Sequence, residues 1–218
     1  MKRLMKIFIL LIVSTTAAVV AYGANGYRDA VSRSDSYTVQ ADRLIISGRG
    51  PADLGAERLR QLLLVQDPGY LEHEGIDLST HGAGLTTISQ SLSKRLGFDE
   101  FHPGIGKIRQ TGFAMGLESR LSKDQILTLW MDTVEMGRGP DGWMTGLFDA
   151  SESLYGRAPD EISDLEYHRL LAVLVAPGQF RLLEEDERLA DRSARIARLV
   201  AGECRPENLG DVWLDGCA

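Results

Sequence analysis

The stretch that decides the fold runs from Val65 to Lys94 and reads VQDPGYLEHEGIDLSTHGAGLTTISQSLSK. Its second half predicts an amphipathic helix over residues 85–96, entered through Gly82-Ala83-Gly84, because apolar residues recur at three- and four-residue steps. The apolar face carries Leu85, Ile88, Leu92 and Leu96. The opposite face carries Thr87, Gln90, Ser91 and Lys94. Such a face suits a polar, anionic ligand, although a solvated helix face is the simpler interpretation.

Residues 66–75 resemble the first motif of the peptidoglycan glycosyltransferases, glycosyltransferase family 51, which reads Glu-Asp-x-x-Phe-x-x-His-x-Gly. The matching residues are Asp67, Tyr70 in place of Phe, His73 and Gly75. Where the family has its Glu, this chain has Gln66. The mismatch therefore falls on the residue that the family uses as its general base.

Residues 84–94 resemble the second motif, Gly-x-Ser-Thr-Ile-Thr-Gln-Gln-Leu-x-Lys. Thr86 and Ser89 replace one hydroxyl residue by another. The identical residues are Gly84, Thr87, Ile88, Gln90, Leu92 and Lys94. Two motifs of this length in the family's order are a specific signal.

Three further motifs follow in family order, so that the resemblance covers residues 51–180. The third, Arg-Lys-x-x-Glu, matches at Lys107, but Gly106 replaces its Arg and Gln110 replaces its Glu. In the fourth, Lys-x-x-Ile-Leu-Glu-x-Tyr-Leu-Asn, Thr128 replaces another Glu. The fifth is matched by Gly146, Ala150 and Gly156.

The resemblance implies a mostly α-helical, lysozyme-like, two-lobed glycosyltransferase domain with one N-terminal membrane helix or signal segment. In the family, an acceptor sugar hydroxyl attacks a lipid-linked donor and the first-motif Glu takes its proton. Basic residues, with a divalent metal near the third-motif Glu, stabilise the departing pyrophosphate. The two catalytic positions are Gln66 and Gln110 here. The residues that the resemblance assigns to substrate binding are Asp67, His73, Thr86, Thr87, Gln90, Lys94, Lys107 and Arg109, of which His73 is also expected to orient the turn after the first motif.

Both catalytic positions hold an amide instead of a carboxylate. A carboxylate accepts a proton near neutral pH and an amide does not, so that losing the base costs about 10²–10⁴ in rate. With Gln110 at the metal-side position, we expect no metal and no other cofactor. We therefore interpret the chain as a degenerate member that binds a peptidoglycan strand, a lipid-linked precursor or a cell-wall protein rather than polymerising.

The loop between the first two motifs is short. Family members place a much longer segment there, part of it apolar and dipping into the membrane, whereas residues 74–81 are almost all that remains here. The sequence thus predicts that the lipid-contacting element is missing.

Two enzymatic alternatives stay open. The first is an active glycosyltransferase with a relocated general base, Asp67 or Glu74. The second is a lysozyme-like glycan hydrolase that uses Glu118 or Glu135 as its acid, which is weaker because no carboxylate pair can be placed across a cleft.

Composition bounds the class of protein. The chain has 218 residues, with 24 Lys and Arg against 31 Asp and Glu, which gives a net charge of −7. This length fits one domain with an appendage. A net-acidic chain lacks the basic footprint of a nucleic-acid-binding protein, and we exclude that class.

The N-terminus is a targeting segment. Lys2, Arg3 and Lys6 precede an apolar run over residues 7–24, which suits either a signal peptide or a membrane anchor. Cleavage at Ala21-Tyr22-Gly23 is possible, but the resemblance favours a retained anchor in the inner membrane, with the domain on the extracytoplasmic side.

The predicted organisation is a signal-anchor or signal peptide (1–26), a connector (27–50), a glycosyltransferase-like domain (51–180) and a C-terminal helix with a cysteine-containing tail (181–218). The connector has a β-like patch at residues 44–46. Helices are predicted over 51–65, from about 102 to 121, and over 184–201. Capping boxes at Ser122/Gln125 and Ser163/Glu166 predict two more, the second ending at Pro177.

Aromatic residues, histidines and cysteines complete the predictions. Trp130 is expected in the core, and Trp143, in a glycine-rich loop, is a candidate for stacking on a sugar ring. The histidines expected at the surface or at helix ends are His81, His102 and His168. Cys204 and Cys217 are predicted to form a disulfide worth about 3 kcal/mol in an oxidising compartment.

Overall fold

The computed structural model describes residues 2–218, and its regular structure is mainly α-helical. Helix α1 (Lys2–Ile46) is followed by a 3₁₀ turn, Pro51–Leu54, and a second such turn, Asp215–Cys217, lies near the C-terminus. The other helices are α2 (Gly55–Gln66), α3 (Ile88–Gly97), α4 (Gly106–Glu118), α5 (Lys123–Thr133), α6 (Leu147–Tyr155), α7 (Asp164–Val173) and α8 (Glu187–Val200). An antiparallel hairpin, β1 (Glu135–Gly139) and β2 (Gly142–Thr145), joins α5 to α6. The mostly α-helical class is confirmed.

Helix α1 runs without a break through the predicted connector. The β-like patch at residues 44–46 is helical, so that this part of the prediction is wrong. Helical spacing explains the error, because Ala30, Tyr37 and Ala41 fall on one face and are buried against the domain. The N-terminal part of α1 exposes its apolar side chains, and the helix is long and apolar enough to cross a membrane.

Helix α1 packs along α4 in a contact that we call the α1–α4 seam. Glycines bring the two backbones together: a Cβ atom on Gly112 would overlap the carbonyl oxygen of Gly23, and one on Gly26 would overlap that of Arg109. Arg109 of α4 also forms an ion pair with Asp29 of α1. The seam therefore makes α1 part of the folded domain.

The predicted helix starts are confirmed where a capping box marks them. Ser122 and Gln125 cap α5, and Ser163 and Glu166 cap α7, each pair exchanging side-chain and backbone hydrogen bonds. Helix ends are less accurate, because α4 ends at Glu118 rather than near residue 121 and α7 ends at Val173, before Pro177 is reached.

Helix α7 lies at the centre of the core. Its residues Leu170–Val173 are fully buried, and Trp130 of α5 is buried as predicted. His168 is 6% exposed, and its expected place at the surface is wrong. It lies inside α7, where burial lowers the pKa of its imidazole.

The C-terminal tail, residues 201–218, is a closed loop. The predicted disulfide between Cys204 and Cys217 is formed. Asp211 stabilises the loop by accepting backbone N–H bonds from Glu207 and Gly216, each at 3.0 Å. These hydrogen bonds lower the pKa of Asp211 against the opposing effect of its burial.

The hairpin β1–β2 is an element that the sequence reading did not anticipate. Its turn is closed by the pairing of Gly139 with Gly142. Trp143 on β2 is 49% exposed and lines a cavity of about 300 Å³ with Arg138 and Arg181. Its proposed stacking on a sugar ring stays a prediction.

Candidate functional site

A cavity of about 370 Å³, which we call the cleft, lies between α3, α8 and the ends of α2 and α7. Its polar lining side chains are those of Gln66, Thr86, Thr87, Ser91, Lys94 and Arg192. The rest of the wall is glycine or apolar: Val65, Gly82, Ala83, Gly84, Leu85, Ile88, Trp130, Leu174, Val175 and Val212. Among residues 2–218, no carboxylate lines this cavity. Its ionisable side chains are those of Lys94 and Arg192, which are both cationic.

The loop before α3 and the C-terminal tail form one wall of the cleft together. The backbone N–H of Gly82 donates to the carbonyl oxygen of Asn208 at 3.0 Å, and that of Gly84 donates to Leu209 at 2.8 Å. Val212 packs against Gly84, which has a φ of +70° and leaves no room for a Cβ atom. The tail thus covers the short loop between the first two motifs.

Gln66 is the last residue of α2, and its half-buried side chain lines the cleft. The structure therefore places the family's base position at the cavity wall. The amide at this position hydrogen-bonds with a ligand but cannot take a proton from it near neutral pH.

Asp67 faces away from the cleft and organises the start of α3. Its fully buried carboxylate accepts the backbone N–H of Ile88 at 2.8 Å and lies 3.0 Å from Nε2 of His73. Nδ1 of His73 accepts the N–H of Gly75, so that Nε2 carries the proton and donates it to Asp67. This network orients the turn and speaks against Asp67 as a relocated base. Glu74 is exposed and does not line the cleft.

Three residues of the polar face predicted for α3, namely Thr87, Ser91 and Lys94, line the cleft, and Gln90 does not. Helix α3 begins at Ile88 rather than at residue 85, because Thr87 and Gln90 form a capping box. Oγ1 of Thr87 also donates to the carbonyl oxygen of Gly75 at 2.8 Å. Both side chains satisfy helix and loop backbone groups, and only Thr87 contributes to the cleft wall.

Gln110 is buried in α4 and does not line the cleft. Its Nε2 donates to the carbonyl oxygen of Gln90 at 2.6 Å, while its Oε1 has no hydrogen-bond partner within the described chain. An ionised carboxylate cannot donate this bond. A glutamine at this position therefore stabilises the contact between α3 and α4.

The position of Gln110 does not fit the divalent metal that the family uses. Its side chain is a neutral amide, and the amide nitrogen donates to the carbonyl oxygen of Gln90. Throughout residues 2–218, no group of three or more His, Cys, Asp or Glu side chains is placed to hold a metal ion. We derive no chemical step through a metal here.

Lys94 lines the cleft, and Lys107, which does not, contacts the lining residue Thr86. Nζ of Lys94 lies 5.3 Å from the ring centre of Phe101, and Nζ of Lys107 donates to Oγ1 of Thr86 at 3.1 Å. Burial lowers the pKa of Lys94 from its usual value, and the charges of Lys107 and Arg95 lower it further. An anionic ligand would relieve this repulsion.

Arg109 does not reach the cleft, contrary to its predicted role in substrate binding. Its guanidinium pairs with Asp29, donates to the carbonyl oxygen of Gly97 at 2.6 Å and lies 4.7 Å from the ring centre of Phe98. All of these contacts hold α4 to α1 and α3, which makes Arg109 a residue of the α1–α4 seam.

The acids considered for a glycan hydrolase are not arranged for that reaction. Glu118 accepts a hydrogen bond from Ser89 at 2.5 Å and pairs with Lys123 at 2.9 Å, with 5% of its side chain exposed. Glu135 lies exposed on β1, and neither acid lines the cleft. Thr128, at another family Glu position, is buried and donates to a carbonyl oxygen within α5.

Arg192 is an ionisable residue of the cleft wall that was not predicted from the sequence. It lies on α8 between Leu189 and Ile196, both fully buried, at the three- and four-residue steps of a buried helix face. A basic residue at such a position is the signal that would have revealed it.

Comparisons with known proteins show the family to which this helical domain belongs. The family model described as Transglycosylase matches residues 52–201, and the chain belongs to this family. That match continues past residue 180, where the sequence resemblance ends, and includes all of α8.

Several relatives carry names from cell-wall synthesis. Penicillin-binding protein 1B of Escherichia coli is 30% identical over 146 residues, which cover 61% of this chain and 17% of that protein. Biosynthetic peptidoglycan transglycosylase of Vibrio parahaemolyticus is 26% identical over 165 residues, covering 70% of this chain and 69% of that protein. The protein of the same name from Caulobacter vibrioides is 23% identical over 164 residues, with 70% and 69% covered. The chain thus spans less than a fifth of penicillin-binding protein 1B.

Proposed function

We propose that this transglycosylase-family domain binds a peptidoglycan precursor or strand in the cleft without polymerising it. The observation that carries the proposal is the chemistry of the cleft wall. Gln66 occupies the base position, and no carboxylate lines the cavity within the described residues. Without a group to accept the acceptor hydroxyl's proton, sugar transfer loses about 10²–10⁴ in rate.

Binding is supported by the groups that the cleft retains. Lys94 and Arg192 are suited to phosphate or carboxylate oxygens, while Gln66 and Ser91 can hydrogen-bond with sugar hydroxyls. The first target class is therefore an anionic saccharide, such as the lipid-linked disaccharide pyrophosphate on which the family acts.

The experiment combines binding and turnover on the full chain in lipid nanodiscs. A labelled lipid-linked disaccharide pyrophosphate is titrated for binding and incubated separately for glycan products. We expect binding without product. Polymerisation at the rate of an active family enzyme would overturn the proposal. Absence of binding would overturn it as well and would direct attention to a protein partner.

Matched variants locate the binding site. Lys94→Gln removes a cation from the cleft wall, and we expect it to weaken binding about tenfold or more. Arg120→Gln removes a cation from an exposed position outside the cleft and serves as the control. Equal affinities of the two variants would place the ligand elsewhere.

We further propose that α1 anchors the chain in the inner membrane, with the domain on the extracytoplasmic side. The basic residues Lys2, Arg3 and Lys6 before the apolar run support this orientation. Protease added to intact spheroplasts should then digest the domain. Digestion only after lysis would show that the domain lies on the cytoplasmic side and would overturn the proposed orientation.

A further inference from the structure

The side chain of Arg192 is buried, and within residues 2–218 it forms no ion pair. It is 3% exposed, and its Nε and Nη1 have no hydrogen-bond partner among residues 2–218. Its guanidinium lies 5.5 Å from the ring centre of Trp213, which positions it without neutralising it. Burial lowers the pKa of Arg192 to about 10. An unpaired buried cation is costly, and such a group is normally paired or binds a ligand.

A neighbouring arginine on α8 shows that the lack of a partner is specific to Arg192. Arg195 pairs with Asp191 at 2.9 Å and with Asp215 at 2.6 Å. The charges of Asp211 and Asp215 reach Arg192. Asp215 is engaged by Arg195, and Asp211 accepts the backbone N–H groups of Glu207, Asp215 and Gly216. Arg192 lines the cleft, which contains no carboxylate, and it also lines a second cavity of about 300 Å³ to which Asp191 and Asp215 contribute.

The wall around Arg192 is fixed before any ligand arrives. The disulfide closes the tail, the tail is hydrogen-bonded to Gly82 and Gly84, and Arg198 of α8 donates to the carbonyl oxygen of Cys217. A site held in this way does not need to be ordered when a ligand binds, which favours affinity.

We propose that Arg192 binds an oxyanion of the cleft ligand, at a position supplied by α8 and separate from Lys94 on α3. The ligand class is thereby narrowed to a saccharide with two anionic positions. The oxyanion at Arg192 is either a phosphate or a carboxylate, since the planar guanidinium pairs with both. This inference rests on the proposed function and deepens it.

The test measures binding to the full chain in nanodiscs with two probes. One is the lipid-linked disaccharide pyrophosphate, and the other is a soluble disaccharide peptide that has carboxylates but no phosphate. We expect Arg192→Gln to lower the affinity for at least one probe by about 10- to 100-fold. Loss with both probes would identify a carboxylate at Arg192, and loss with the first alone would identify a phosphate.

Controls separate ligand binding from a structural role. Arg188→Gln makes the same change on an exposed residue of α8 that does not line the cleft, and it should bind as the wild type does. Arg192→Lys keeps the charge without the planar fork and should restore part of the affinity. Arg192→Gln should unfold at the same urea concentration as the wild type, or a higher one, when no ligand is present.

The outcomes distinguish this inference from the proposed function. If the wild type binds neither probe, the proposed function fails. If the wild type binds and Arg192→Gln binds equally well, only the assignment of Arg192 is overturned. Lower stability of unliganded Arg192→Gln, with affinity unchanged, would show that this arginine is structural.

Discussion

The α1–α4 seam and the cleft use basic side chains in opposite ways. In the seam, Arg109 is paired with Asp29 and its remaining contacts join three helices. In the cleft, Lys94 and Arg192 form no ion pair among the described residues, and no carboxylate lines the cavity. Paired cations hold structure together, whereas unpaired ones at a cavity wall raise the free energy of the empty state and favour an anionic ligand. The difference separates a structural contact, the seam, from the proposed binding site, the cleft.

The largest expected effect comes from opening the tail that forms one cleft wall. Replacing Cys204 and Cys217 by Ser removes a cross-link over 13 residues and should lower the free energy of unfolding by about 3 kcal/mol. Urea denaturation in detergent measures the loss. Reductant should destabilise the wild type by a similar amount and leave the double variant unchanged. A wild type whose urea midpoint does not change with reductant would contradict the disulfide.

The second largest effect is expected in the seam, where adding a single methyl group should destabilise the packing of α1 on α4. Gly112→Ala places a Cβ atom against the carbonyl oxygen of Gly23 and should cost about 1–3 kcal/mol. Gly106→Ala is the matched control on the same helix, since its Cβ atom would lie 3.6 Å from Phe101, an ordinary contact. Urea midpoints of the two variants should therefore differ. Equal midpoints would mean that α1 can move away from α4 at no cost.

Two substitutions that each remove one charge, one in the seam and one in the cleft, compare the two regions directly. Asp29→Asn leaves Arg109 without its counter-charge and should destabilise by about 1 kcal/mol, the modest value of a partly exposed pair. Lys94→Met keeps the aliphatic stem but removes an unpaired charge, and it should leave stability unchanged or increased. Thermal unfolding of both variants is the measurement. If Lys94→Met proved the less stable of the two, the distinction between seam and cleft would fail.

The smallest expected effect is the pH dependence caused by Lys94. Because burial lowers its pKa, the unfolded chain binds more protons than the folded chain at pH values between the lowered pKa and 10.5. The free energy of unfolding should therefore rise with pH in this window for the wild type relative to Lys94→Met. The Lys94→Met variant is the reference, because all other titrating groups are the same in the two proteins. Parallel pH profiles would show that Lys94 is as well solvated as a free lysine.

The motif positions were predictable from the sequence, but the direction in which their side chains point was not. Spacing puts Thr87 and Gln90 on the polar face of α3, yet both are used to cap that helix. Arg109 follows a family cation, Lys107, by two residues, a step that places it on a different side of α4. Helical periodicity identifies faces, while the partner of each face depends on packing.

Other parts of the fold were harder to predict because they depend on contacts distant in sequence. The residues of α1 beyond position 26 are polar enough to suggest a linker, and their helix is stabilised by α4 some 80 residues away, as the pair Asp29 and Arg109 shows. Arg192 lines the same cavity as Gly82, about 110 residues earlier in the chain, and the tail is hydrogen-bonded to that loop. The capping boxes, being local, were predicted correctly.

The unbroken course of α1 has a mechanical consequence. The described helix has no hinge between its exposed apolar segment and the part buried in the seam. From residue 26 to residue 46 it rises about 30 Å at 1.5 Å per residue. Any tilt or rotation of the apolar segment is therefore transmitted as a rigid lever to the domain. The distance of the cleft from a bilayer and its orientation would therefore be fixed by the helix, whereas a flexible linker would let both vary.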